Sequence, residues 1–116
     1  FDAAAKGSVQ MFTTGMTTLA ADADPLLYTC FYSGNIGVYN FSSYASDAVD
    51  KLFADSRADR NADSRKAKLF EIQNIIAADV PAVPLYFRTT LNVANPNLKG
   101  LLVEPNNFLN PCNLSW

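Results

Sequence analysis

Two aspartates, Asp22 and Asp24, sit two residues apart in a loop of small residues, GMTTLAADADP (Gly15 to Pro25). Paired carboxylates in such a setting hold a metal, share acid–base work or cap a helix. Pro25 suits the first turn of a helix, where its missing N–H has no partner to lose, so Asp24 is expected as the N-cap. The duty of Asp22 stays open on spacing alone. The second candidate group is Tyr86-Phe87-Arg88. On a strand, Tyr86 and Arg88 share one face and Phe87 takes the other, so Phe87 reads as core and Arg88 as a solvated end or a cleft residue. Tyr28, Tyr32, Tyr39 and Tyr44 also cluster in sequence, as loop tyrosines ordinarily do.

The chain has no histidine, which removes the commonest general base, the commonest metal ligand and the usual partner of a nucleophilic Ser or Cys. Two cysteines cannot build a zinc site by themselves. If bridged, Cys30 and Cys112 would close a long loop worth about 4.5 kcal/mol on the chain-entropy model. Two unbridged thiols acting as small hydrophobes fit the spacing equally. A net charge of −2 supplies no basic stripe, so nucleic acid is not an expected partner. The apolar runs fall well short of the roughly 20 residues of a membrane span. The opening FDAAAKGSVQ lacks the basic and apolar regions of a signal peptide, which a mature or truncated chain would have lost.

The elements that must position these residues are legible as follows. Val9 to Phe12 alternates weakly after a glycine and reads as a short strand. PLLYTCFY, from Pro25, reads as a short helix, and Ser33 to Tyr44, with two glycines and two asparagines, as an exposed, mobile loop. Ser46 caps a helix to about Ser56, with Val49, Leu52 and Phe53 as its apolar stripe. RADRNADSRK breaks that pattern, and Asn61 caps a second helix to about Ala78, with Leu69, Ile72 and Ile76 on one face and Phe70 and Ile75 on its shoulders. Val80 precedes Pro81 and is expected to leave the helical region for an extended one. Val83 to Ala94 reads as one long or two consecutive strands, and Leu98 to Pro105 as another. The tail is loop, anchored by Phe108, Leu109, Leu114 and Trp116. With 49% hydrophobic residues, 116 residues are enough for a core. The strands are nevertheless few and scattered, and the only tryptophan is the last residue, so the chain reads as part of something larger.

Taken in order, DADP, SSYASDAVDKLFADSRA, RNADSRKAKLFEIQNIIAADVPAVPLYF and NLKGLLVEP resemble the C-terminal portion of the family 5 extracellular solute-binding proteins, the oligopeptide- and dipeptide-binding components of ABC transporters. The likeness covers roughly residues 8 to 103. It implies an α/β class (an α+β lobe) within a two-lobed periplasmic-binding-protein-like fold. Residues 1–88 would end the C-terminal ligand-binding lobe and residues 89–116 would cross back to the N-terminal lobe. The proline joint at Pro81 and Pro84 would then support the hinge. The resemblance further implies a non-catalytic, exported protein, secreted or a lipoprotein, on the periplasmic or extracellular face of a bacterial membrane. It would use no cofactor or metal and would capture a peptide or other small solute. Its other partners would be the permease subunits and the rest of its own longer chain. Asp22 would hold the ligand's α-ammonium, with Leu19 and Ala20 beside it and Tyr86 and Arg88 lining the cleft. The family's tryptophan is missing from this loop, Leu19 or Met16 standing nearest, and two residues separate Asp22 from the proline instead of three. With Cys30 and Cys112 in separate lobes, a bridge between them would restrain closure, so they are expected unjoined. The alternative class is a small secreted interaction domain stapled by those cysteines. A hydrolase ranks below both, because there is no histidine and no nucleophile motif, and a carboxylate-only mechanism would need a second acid that the sequence does not place.

Overall fold

A computed structural model of the chain describes residues 1–18, 22–87, 89, 91–102 and 111–116. It falls into two compact units, Phe1–Val83 and Pro84–Trp116. Four helices lie in the first: α1 (Asp2–Ala5), α2 (Asp24–Phe31), α3 (Asp47–Ala58) and α4 (Ala62–Asp79).

The core follows from helical spacing. Val49 and Phe53 on α3 stand four apart, and Leu69, Ile72 and Ile76 on α4 recur at three and four, so each set shares one face. These five residues are the buried cluster, and Leu27, Tyr28 and Phe31 of α2 pack against it from a third side. Both long helices start where their caps demand. The Ser46 hydroxyl accepts from the Val49 N–H at 3.5 Å, and the Asn61 side-chain oxygen accepts from the Ser64 N–H at 2.9 Å. The three-residue link between them is tied by Asp59, which accepts from the Asn61 N–H and from Lys68, while Lys68 also donates to the Ser64 hydroxyl. Phe70, expected on the shoulder of the apolar face, is instead exposed beneath the Lys66 ammonium.

Several expectations need correction. The α/β class and the two-lobed architecture do not hold. Helix makes up 47% of the structure and strand only 4%, so the described residues contain no sheet. Val9 to Phe12 and the described residues of Val83 to Ala94 form no ladder, and Lys99 meets Ser115 in a single antiparallel bridge. The strand-like composition is real, but a strand exists only when a neighbour takes up its backbone hydrogen bonds. Beside that bridge Gly100 takes φ +75°, and a Cβ there would stand 1.8 Å from the Asn113 carbonyl oxygen.

The loop from Ser33 to Tyr44 is also not simply exposed. It opens with a 3₁₀ turn, Ser33–Asn35, and buries Asn40 completely enough to leave it 1% exposed. The Asn40 amide donates to the Tyr32 and Tyr44 carbonyls, and its oxygen accepts from the Tyr44 N–H and the Ser42 hydroxyl. Val80 leaves the helix, yet not into the extended region: it closes α4 in the left-handed region, φ 51° and ψ 47°.

Pro84–Trp116 is different in kind. Every described residue in it is exposed except Leu98, which is half-buried. Leu114 and Trp116 are exposed, while Phe108 and Leu109 lie outside the described residues. The boundary at Val83 and Pro84 falls shortly before the expected crossover at residues 88 and 89.

Candidate functional site

Asp24, expected as the N-cap of α2, does not cap it; the turn is closed by Asp22. The residue before α2 is Ala23, and no side chain caps the helix from that position. Asp22 does so from one residue earlier: its Oδ1 accepts from the Asp24 N–H at 3.0 Å, closing an Asx turn. Asp24 is the first helical residue and turns its carboxylate inward, its side chain 9% exposed, where Arg57 grips it with three hydrogen bonds of 2.9 to 3.2 Å. A bidentate guanidinium is the partner a nearly buried carboxylate requires.

Arg57 also covers an aromatic stack. Its guanidinium carbon lies 3.4 Å from the Tyr28 ring centroid. Tyr28 stacks on Tyr32 at 4.4 Å and 12°, and meets Phe53 edge-on at 5.2 Å. A second arginine, Arg65 near the start of α4, reaches Asp22 Oδ2 at 2.8 Å. Asp22 and Asp24 thus tie the entry of α2 to the end of α3 and the beginning of α4.

Both arginines carry a sequence signal that the expectations above did not use. Arg57 continues the Val49–Phe53 spacing and Arg65 precedes Leu69 by four, so each extends a buried stripe with a charge. A cation there needs a carboxylate from a neighbouring element, and Asp22 and Asp24 supply it.

The backbone bond from Asp24 is the largest influence holding the Asp22 carboxyl below its usual range; partial burial opposes it and Arg65 adds to it. Asp59 is held well below that range too, chiefly by Lys68, then by Ser64 and the Asn61 N–H. Because both folded-state values are depressed, their stabilisation is complete above about pH 4, where unfolded aspartates titrate, and is lost as pH falls through the folded values. Thermal melts between pH 7 and 2 are therefore expected to show Tm falling below about pH 4. Asp59→Asn should melt lower than the parent at pH 7, with the gap closing as acid removes the parent's advantage.

Asp22 retains about a third of its side-chain exposure, while its Oδ1 accepts from the Asp24 N–H and its Oδ2 from Arg65. Tyr86 is exposed in the second unit, whereas Leu19, Ala20 and Arg88 lie outside the described residues. Of the candidate ligand residues, Asp22 thus belongs to the first unit and Tyr86 to the second.

Elsewhere among the described residues, several polar groups are paired within the fold. Ser33 donates its hydroxyl and its N–H to Asp50, and Lys68 faces Asp59 and Ser64 as an ion-pair partner. Burial pushes the Cys30 thiol up, away from reactivity. No disulfide is present among the described residues, and they hold no group of three metal-ligating side chains. No described helix is long and apolar enough to cross a membrane. A shallow hollow of about 260 Å³, lined by Phe1, Ala3, Ala4, Val9, Phe12 and Thr13, contains none of the candidate residues and no charged side chain. Comparison with protein-family models, with known proteins and with solved structures finds no match to this chain.

Proposed function

We propose that the chain is a non-catalytic, exported segment of the solute-binding component of an ABC importer, which takes up a peptide-like or other small solute together with the rest of its own longer chain. The observation that carries this reading is the state of Pro84–Trp116, where Leu85, Tyr86, Phe87, Leu91, Val93 and Trp116 are exposed. So dense an apolar surface on a short segment marks an interaction surface. The ordered motifs from DADP to NLKGLLVEP supply the class of protein.

In this reading Asp22, whose side chain is about a third exposed, receives the ligand's ammonium, and its bonds to the Asp24 N–H and Arg65 fix its position. Tyr86 and Arg88 contribute from the second unit, with Leu19 and Ala20 flanking Asp22. The permease subunits of the importer are the macromolecular partners.

The test is to recover the protein from its native cells with an antibody to residues 47–79, then to measure its intact mass, its compartment and any small molecule released on denaturation. The expected result is an exported chain heavier than 12.7 kDa carrying a peptide-like or other small solute. A 12.7 kDa chain in the cytoplasm, without solute, would contradict the reading.

A further inference from the structure

The two ends of α2 are fastened by different chemistry. After its last residue the chain turns extended at Tyr32, φ −69° and ψ 130°, and is pinned at once. The Asn35 amide donates to the Tyr28 and Thr29 carbonyls, and the Asn40 amide donates to the Tyr32 carbonyl. Ser33 donates both its N–H and its hydroxyl to Asp50 of α3. At the first turn two ion pairs make the connection. Asp22 meets Arg65 of α4, and Asp24 meets Arg57 of α3, whose guanidinium also covers the Tyr28 ring.

The apolar hold is uneven as well. The buried cluster of Val49, Phe53, Leu69, Ile72 and Ile76 belongs to α3 and α4. Helix α2 adds Leu27, Tyr28 and Phe31, each half-buried, and its one buried residue is the charged Asp24. These two kinds of burial respond differently to opening. Parting α3 from α4 puts fully buried apolar side chains into water and forfeits their burial. Lifting α2 exposes less apolar surface, and Asp24 and Arg57 regain hydration as they separate, which offsets much of their lost attraction. An eight-residue helix is also too short to hold itself in place by its own helical stability. Opening of α2 therefore costs less than opening of the α3–α4 pair.

We propose that α2 is a charge-latched flap: hinged at Tyr32 and Ser33, it lifts from its Asp24 end as a unit while α3 and α4 stay packed. Lifting uncovers Phe53 where the Tyr28 ring meets it edge-on, and parts Asp22 from Arg65. Asp24–Arg57 is the latch, because a nearly buried carboxylate is driven toward water once its guanidinium is gone. This inference does not rest on the transport reading.

Native-state hydrogen exchange on the full chain, followed by NMR at low urea, tests it. In the parent, the amides of residues 27–31 are expected to have an opening constant larger than that of residues 69–76 by about tenfold or more. Their opening should also depend less on urea, because it exposes less surface. Arg57→Met should raise the opening constant of residues 27–31 by about a further tenfold or more, leaving that of residues 69–76 nearly unchanged. Adding Asp24→Asn to Arg57→Met should recover much of the protection, since no charge is then left buried without its partner. Equal opening constants for the two stretches in the parent would overturn the proposal. So would an Arg57→Met variant that leaves residues 27–31 unchanged or loosens both stretches alike, or a double variant that recovers nothing.

Discussion

Phe53→Ala is expected to leave the Phe1–Val83 unit largely unfolded at 37 °C. Phe53 is fully buried on α3 between the α4 residues Leu69, Ile72 and Ile76 and the Tyr28 ring of α2, so it touches all three helices of the core. Truncating a buried phenylalanine costs about 3–5 kcal/mol, the transfer free energy of the lost ring plus the cavity left behind. A domain of this size holds only about 5–15 kcal/mol in total, and small ones sit near the lower end. The loss is compounded because the ring also meets Tyr28 edge-on, and the Tyr28 ring in turn carries Arg57 and Tyr32. Urea titration followed by far-UV circular dichroism checks this. Phe53→Leu, which keeps most of the volume, should recover the larger part of the loss.

Asn40→Ala is expected to cost nearly as much, about 2–4 kcal/mol, although it removes no apolar contact. Asn40 is almost wholly buried and satisfies the Tyr32 carbonyl together with both the N–H and the carbonyl of Tyr44. Alanine leaves three backbone groups without their partner, and each buried orphan costs about 1–3 kcal/mol unless water reaches it. Asn40→Asp is the sharper comparison. It keeps the shape and the acceptor but replaces the NH₂ donor with an oxygen facing two carbonyls, so it should be at least as damaging at pH 7. Melting both variants alongside the parent decides whether Asn40 organises the loop or merely occupies it.

The helical half of the fold is legible in the sequence because its information is local. Ser46, Asn61 and the spacings 49–53 and 69–72–76 carry their own geometry, and the structure uses them as read. The absence of a sheet among the described residues is not legible, because pairing is not local. The composition of Val83 to Ala94 says which residues suit a pleated surface, but not whether a neighbouring strand is there. That Asp22 and not Asp24 closes the turn before α2 has a different cause. An Asx turn and an N-cap satisfy the same donors at the head of a helix with the same residue type, so sequence alone does not choose between them. Tertiary packing chooses: Arg57, one turn beyond the buried Phe53 on α3, pairs with the Asp24 carboxylate, and Asp22 closes the turn. Burial of Asn40 in a stretch rich in Gly and Asn was hidden because polar loop composition does not show which polar residue folds inward.

Amide hydrogen exchange on the 116-residue chain tests the central claim most directly, that Phe1–Val83 carries its own core while Pro84–Trp116 requires partners from outside this chain. The account predicts slow exchange through residues 49–58 and 66–79, set by opening of the helical core, and exchange across residues 85–94 with an opening free energy near zero. Protection of residues 85–102 as strong as that of α3 and α4, lost with them in one cooperative transition, would contradict it. The chain would then be a self-contained domain, and the proposal that it completes a larger solute-binding protein would fall.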